Sequence, residues 1–409
     1  MILKKLNVPS IRQQFPLLQQ MVNERPLVYL DNGATTQKPQ AVIDAIHHYY
    51  THLNSNVHRG VHHLSQSSTD AFELTRRKLQ AFINAQHEHE IIFTKGTTES
   101  INLVAHCYGK AFVTAGDEII VSAMEHHANI VPWQMLCEDR GAILRVIPMD
   151  EQGVLDMDAY KNLLSDKTKL LAVTYVSNVL GTVNPIAEMI NAAHQVGVPV
   201  LVDAAQAIQH QTIDVQALDA DFLVFSGHKM YGSTGVGILY GKEHWLNALP
   251  PYQGGGDMIK TVTFAKTTYN ELPFKFEAGT PNMEAVISLA TALDFITELG
   301  LDAIQAHEAA LLNYAEQHLV EIAGVRLIGT APHKSSALSF VVAGTHPYDI
   351  GVLLDKQGIA VRTGHHCAQP IMEYFGIPGT VRASLAVYNS EDDIDAFIKG
   401  LKRAVNMLR

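Results

Sequence analysis

From about residue 90 the sequence alternates short, nearly continuous apolar runs with longer amphipathic stretches. This alternation limits the possible folds more than any other feature. EIIFT (90–94), EIIVS (118–122), AILRVIP (142–148), LLAVTYV (170–176), PVLVDAA (199–205) and DFLVFS (221–226) are rich in Val, Ile, Leu and Phe. Strands buried on both faces of a parallel sheet need such runs, because neither face meets water. Between them TTESINLVAHCYGKAF (97–112) reads as a helix, and ANIVPWQMLCEDR (128–140) as largely helical despite Pro132. Strand, helix, strand in succession gives βαβ units, hence an α/β sheet with helices on both sides.

After about residue 300 the texture changes. A long helical segment (302–322) precedes VRLIG, ALSFVVAG, the helix-like YDIGVLLDKQG and IAVRTG, and the amphipathic EDDIDAFIKGLKRAVNML closes the chain. This pattern predicts a smaller α+β unit, and 409 residues leave room for it beside a large α/β domain. A net charge of −11 without a Lys/Arg run argues against nucleic acid as a partner. No stretch reaches the roughly 20 apolar residues that span a bilayer, and the N-terminus lacks the apolar core of a signal peptide. Three cysteines, Cys107, Cys137 and Cys367, make no disulfide framework. The expected location is the reducing cytoplasm.

Several stretches carry chemistry. In DFLVFSGHKMYGSTGVGILYG an apolar strand ends at Ser226-Gly227-His228-Lys229, in a segment rich in glycine. An enclosed lysine amine is a nucleophile, because desolvation lowers its pKa; an exposed loop lysine is the plainer alternative. Asp203 ends another apolar run. There it suits a metal, a ribose hydroxyl, the protonated ring nitrogen of pyridoxal phosphate (PLP), or simply a helix cap. Gly96-Thr97-Thr98 joins a strand directly to a helix, offering free N–H groups and hydroxyls to a phosphate or merely an N-cap. His126 follows a strand and suits a metal, acid–base work or a flat ring. His58 and His62 are four apart, but Gly60 between them and the missing HExxH pattern weigh against zinc. No GxGxxG opens a βαβ unit, which weighs against a dinucleotide site.

Taken together, YLDNGATTQKP, NVHRGVHHLS, GTTESINLVA, MEHHANIVPWQ, SNVLGTVNP, VDAAQA, FSGHKMYGSTGVGILYG, FEAGTPN, RTGHHCAQP and RASLAVYN resemble the PLP-dependent cysteine desulfurases of the class V aminotransferase family, in the SufS/CsdA (group II) branch. The resemblance implies a fold-type I PLP-dependent transferase: a large, mainly parallel seven-stranded domain (26–300) and a smaller C-terminal α+β domain (301–409) carrying the cysteine loop. Residues 1–25 would pack on the small domain, and the molecule would be a homodimer. It also implies roles. Lys229 would carry PLP as a Schiff base, Asp203 pair with the ring nitrogen, Gln206 bond the ring hydroxyl and His126 stack on the ring. Thr97, Thr98, Ser226 and His228 would hold the phosphate, and Thr280 would reach the phosphate of the neighbouring subunit. Asn178, Arg382, Arg362 and His58 would serve the substrate. No metal is implied.

In the same way RTGHHCAQP (362–370) places Cys367 as the nucleophile that takes sulfur from L-cysteine, releasing alanine and leaving a persulfide. The flanking His365, His366 and Arg362 favour a thiolate. A selenocysteine lyase, or another PLP reaction on the same scaffold, is the alternative, and selenocysteine is a possible second substrate. The short loop implies delivery to a dedicated SufE-, CsdE- or SufU-type acceptor protein. Two residues depart from the family pattern: Ser233 stands where proline is usual and Ala204 where glycine is frequent.

Overall fold

The computed structural model describes residues 5–409. Seven strands form the large sheet: β1 (Ile91–Thr94), β2 (Glu118–Ser122), β3 (Ile143–Ile147), β4 (Thr168–Thr174), β5 (Val200–Asp203), β6 (Phe222–Ser226) and β7 (Gly237–Gly241). Their order is β1-β7-β6-β5-β4-β2-β3. β7 runs antiparallel to both its neighbours, and the remaining pairs are parallel.

Successive side chains point to opposite faces of a strand, and here both faces are covered. Ile91, Phe93, Ile120, Leu171, Val202 and Phe225 belong to one apolar core, while Ile92, Ile119, Val121, Leu170, Leu201 and Val224 belong to another. The edge strand β3 is the exception, with exposed Ile143 and Val146. The run around Pro132 is helical because this proline falls in the first turn of Val131–Arg140, where its missing N–H costs nothing. β7 is an element the sequence pattern did not mark, since glycines bound it on both sides. The first has a reason: a Cβ on Gly237 would lie 2.3–2.5 Å from the backbone of Gly96. β7 can sit beside the turn after β1 only without a side chain there.

A second, antiparallel sheet follows, made of β8 (Val325–Ile328), β9 (Ala337–Val342), β10 (Arg362–Gly364) and β11 (Thr380–Ser384) in the order β8-β9-β11-β10. Leu338 and Phe340 of this sheet share a core with Leu311, Leu312 and Leu319 of helix Leu301–Val320. Phe397 and Leu401 of helix Glu391–Leu408 complete it. That last helix begins with a capping box in which Ser390 and Asp393 satisfy each other's backbone N–H groups. Arg12 bonds Asp393 at 2.9 Å, and the Phe15 ring packs against Tyr231, Phe295 and Tyr388. The N-terminal segment therefore touches both the large core and the end of the small unit. Among the described residues no helix is long and apolar enough to cross a membrane.

Candidate active site

The parallel strands deliver their carboxyl ends to one side of the sheet, the usual place for a ligand cleft in an open α/β fold. Asp203 ends β5 and Ser226 ends β6; Lys229 follows in a tight turn, Gly227–Lys229. His126 comes just after β2, and Asn178 lies beyond β4. Thr97 opens helix Thr97–Phe112 directly after β1. From the small unit come Arg362 and Arg382, directly opposite each other on β10 and β11, and Cys367 on the loop after β10. All these residues line one cavity of about 230 Å3, together with Thr98, Gln206, His228 and His366.

Desolvation dominates the electrostatics. Lys229 is partly buried at the cavity wall, and burial, helped by Arg382 and Arg362, brings its pKa down to about 8, against opposing pulls from Asp203 and Cys367. Burial likewise pushes His126 down to about 4, with Lys229 adding to it, so the ring is neutral at physiological pH. Its Nδ1 accepts the Ala128 N–H at 3.0 Å, leaving the proton on Nε2. His228 is also lowered to about 4, by burial and then by Lys229 and Lys38. Asp203 is raised by burial, and the Ala205 N–H donates to it at 2.9 Å.

The two arginines face each other across adjacent strands, an arrangement that repels unless an anion joins them. Asp31 supplies part of that charge, 3.2 Å from Arg382 and 3.6 Å from Arg362. Arg382 also donates to the Asn178 carbonyl at 2.8 Å. Its Nε, the Asn178 Oδ1 and the His366 Nδ1 are buried without a hydrogen-bond partner in the protein. Native proteins rarely leave such groups unmet, and three of them at one cavity mark a polar ligand. Nε and the paired guanidinium charges suit a carboxylate.

PLP fits the remaining surface. Thr97 and Thr98 start a helix whose first N–H groups face outward, a natural phosphate site. Ser226 is fixed there by hydrogen bonds from the Thr97 N–H (2.9 Å) and to or from its hydroxyl (2.7 Å). The buried Asp203 carboxylate would meet the protonated ring nitrogen, His126 would cover the ring, and the Lys229 amine would close on the aldehyde. Gln206 is held by the Gly33 carbonyl at 2.7 Å.

Cys367 is half-buried, whereas Cys107 and Cys137 are buried in helices. Burial pushes the Cys107 thiol up to about 12 and raises Cys137 as well, which leaves both inert. The Cys367 loop is held in an unusual backbone conformation. His366 and Cys367 have φ of 52° and 56°, left-handed values that cost a non-glycine residue about 1–2 kcal/mol each. Hydrogen bonds offset that cost: Asn178 donates to the His366 carbonyl at 2.7 Å, and His366 Nε2 meets the Thr380 hydroxyl at 2.8 Å.

Two of the residues named from the sequence lie elsewhere. His58 binds Glu73 at 2.9 Å, and with Thr280 it lines a separate, larger cavity of about 560 Å3. His58 does not reach the cavity that holds Lys229 and Cys367. The other histidine of the spaced pair, His62, caps the helix His63–Phe82 by accepting the Ser65 N–H. Among the described residues no group of three or more His, Cys, Asp and Glu could hold a metal. The substitutions at Ser233 and Ala204 are absorbed locally: Ser233 bonds Ser288 at 2.9 Å, and Ala204 is buried with its N–H on Val224. Asp31 is the residue sequence reasoning missed as a site member, and His366, named there only for its effect on the Cys367 thiol, also lines the cavity. Both lie inside quoted motifs, yet nothing local to residue 31 reveals that it meets residue 382.

Comparison with known proteins agrees with this architecture. The class-V aminotransferase family model matches residues 28–397. A cysteine desulfurase of Dickeya dadantii is 51% identical over 98% of this chain and 97% of its own. A longer one from Synechococcus elongatus is 51% identical over 97% of this chain, which spans 63% of that relative. The crystal structure of the cysteine desulfurase CsdA of Escherichia coli, in an S-sulfonic acid form, superposes with a TM-score of 0.93 at 41% identity, covering 99% of this chain and 100% of its own. The chain belongs to the class-V aminotransferase family, within its PLP-dependent cysteine desulfurases.

Proposed function

We propose that the protein converts L-cysteine to L-alanine and carries the sulfur as a persulfide on Cys367. The observation that carries this reading is the single cavity shared by the Lys229 amine, the buried Asp203 carboxylate, the facing arginines and the Cys367 thiol. When bound, PLP supplies an electron sink for the substrate's Cα and Cβ positions. Arg382, Arg362 and Asn178 hold the substrate carboxylate, which fixes the Cα–H and the Cβ–S bond relative to the side chains. Lys229, whose amine is easily freed of its proton in this enclosure, takes the proton from Cα. The Cys367 thiolate attacks the substrate sulfur: an S–S bond forms, the Cβ–S bond breaks, and the electron pair stays with carbon, which takes up a proton. His126, neutral and with its proton on Nε2, would cover the ring when the cofactor is bound and keeps that proton free to donate.

The finer parts of the proposal follow. Catalysis belongs to a large unit, 26–300, and a small unit, 301–409, that carries the cysteine loop, with 1–25 joining them. The working form is a homodimer in the cytoplasm: His58 and Thr280 sit outside their own protomer's cavity, where a neighbouring subunit would find them. Sulfur passes to a dedicated acceptor protein, because the short loop limits the reach of Cys367.

The test is incubation with L-cysteine without reductant, followed by mass analysis of the Cys367 peptide and assay of alanine. One added sulfur on that peptide with alanine released in step supports desulfuration. An unmodified Cys367 with an altered PLP spectrum points to another PLP reaction on this scaffold. Cys367→Ala should lose persulfide formation from cysteine while keeping the cofactor.

A further inference from the structure

The loop that bears Cys367 is clamped to the large unit by one residue outside the reacting groups. The His127 N–H donates to the Cys367 carbonyl at 2.7 Å, and the His127 Nε2 accepts the Gln369 N–H at 3.0 Å. One residue thus grips the chain on both sides of Ala368, immediately after His126. The His365 ring lies 5.7 Å from the His127 ring, and its Nδ1 accepts the Cys367 N–H at 3.3 Å. The segment being held is the one with two consecutive left-handed non-glycine residues, His366 and Cys367. Such a conformation persists only where surrounding contacts over-determine it.

We propose that His127 is a positioning residue: it locks the Cys367 loop of the small unit to the strand end that carries His126, and so sets the thiol at attacking distance. The inference rests on the desulfuration reading for its kinetic consequence, but the clamp is defined by geometry alone. A loop freed from it would relax toward ordinary backbone angles, move Sγ out of line and leave cysteine binding at the arginines unchanged.

The experiment compares holoenzyme carrying His127→Ala, His127→Leu and His127→Gln. Leucine keeps the bulk without an acceptor and serves should alanine fail to fold; the amide oxygen of glutamine can again accept the Gln369 N–H. Two readings are taken: the kcat/KM split for cysteine, and the rate at which iodoacetamide alkylates Cys367. The acceptor-free variants should lose about tenfold in kcat, the scale of one hydrogen bond on a held loop, with KM within about twofold. Their Cys367 should alkylate faster, and His127→Gln should recover both values. Unchanged kcat and alkylation in His127→Leu, or a loss that His127→Gln does not repair, overturns the proposal. Alkylation rates report on the clamp even if wild-type protein makes no persulfide, so failure of the two ideas can be told apart.

Discussion

PLP capture by the apoprotein is a direct reading of the Lys229 environment. Only the unprotonated amine attacks the cofactor's aldehyde, so the capture rate follows the free-amine fraction. With its pKa brought from 10.5 to about 8 by burial, about a tenth of Lys229 is free amine at pH 7, against roughly 3 in 10,000 for an ordinary lysine. The enclosure is therefore worth about 300-fold in nucleophile at neutral pH. Capture, followed as growth of the cofactor's absorbance, should rise steeply between about pH 6 and 8 and level off above that. Two substitutions should move the midpoint in opposite directions. Asp203→Asn removes a charge that raises the lysine's pKa and shifts the midpoint down; Arg382→Gln removes one that lowers it and shifts the midpoint up. PLP's own titrations are common to all three proteins and cancel in the comparison. A midpoint near 10.5 in the wild type, or both variants moving the same way, would refute the argument that desolvation and these two charges set the lysine.

Other outcomes follow from the same geometry. Arg382→Gln should raise KM for cysteine by roughly 30- to 150-fold, since a buried hydrogen bond to a charged group is worth about 2–3 kcal/mol; initial rates against substrate concentration check it. His210 and Glu308 form an enclosed pair at 2.6 Å, each side chain only 4% exposed. Truncating either to alanine should cost about 3–5 kcal/mol, seen as a lower Tm of the apoprotein. Gly237→Ala would drive a methyl into the Gly96 backbone, so it should destabilise the protein by at least about 1–3 kcal/mol and weaken PLP retention on dialysis. Mutating Cys107 or Cys137 to Ser should leave persulfide formation intact, since neither thiol reaches the cavity, and mass analysis of the products decides it.

The legible part of the molecule was the part written in local pattern. Continuous apolar runs marked β1 to β6; for all but the edge strand β3 the reason is burial on both faces, which leaves no polar alternation to confuse with a surface strand. Helix Thr97–Phe112 matched its pattern residue for residue. Lys229, Asp203 and Cys367 stood out as chemistry at strand or loop ends, and the motif order supplied their roles. Elements whose signal is not local were missed. β7 is hidden by its bounding glycines, of which Gly237 is what lets it approach Gly96, and β11 is a five-residue strand that only ends in the first residues of RASLAVYN.

What the sequence by itself determined is the α/β class, the family and the chemical identity of the nucleophiles, since each depends on residue type at short spacing. Only the tertiary structure decided which groups meet. It brought Asp31 to both arginines across more than three hundred residues, placed His58 in a cavity apart from Lys229 and Cys367, and closed His127 on the cysteine loop. It also set the lysine near neutrality. Burial and long-range charge are properties of the packed chain, and no window of sequence contains them.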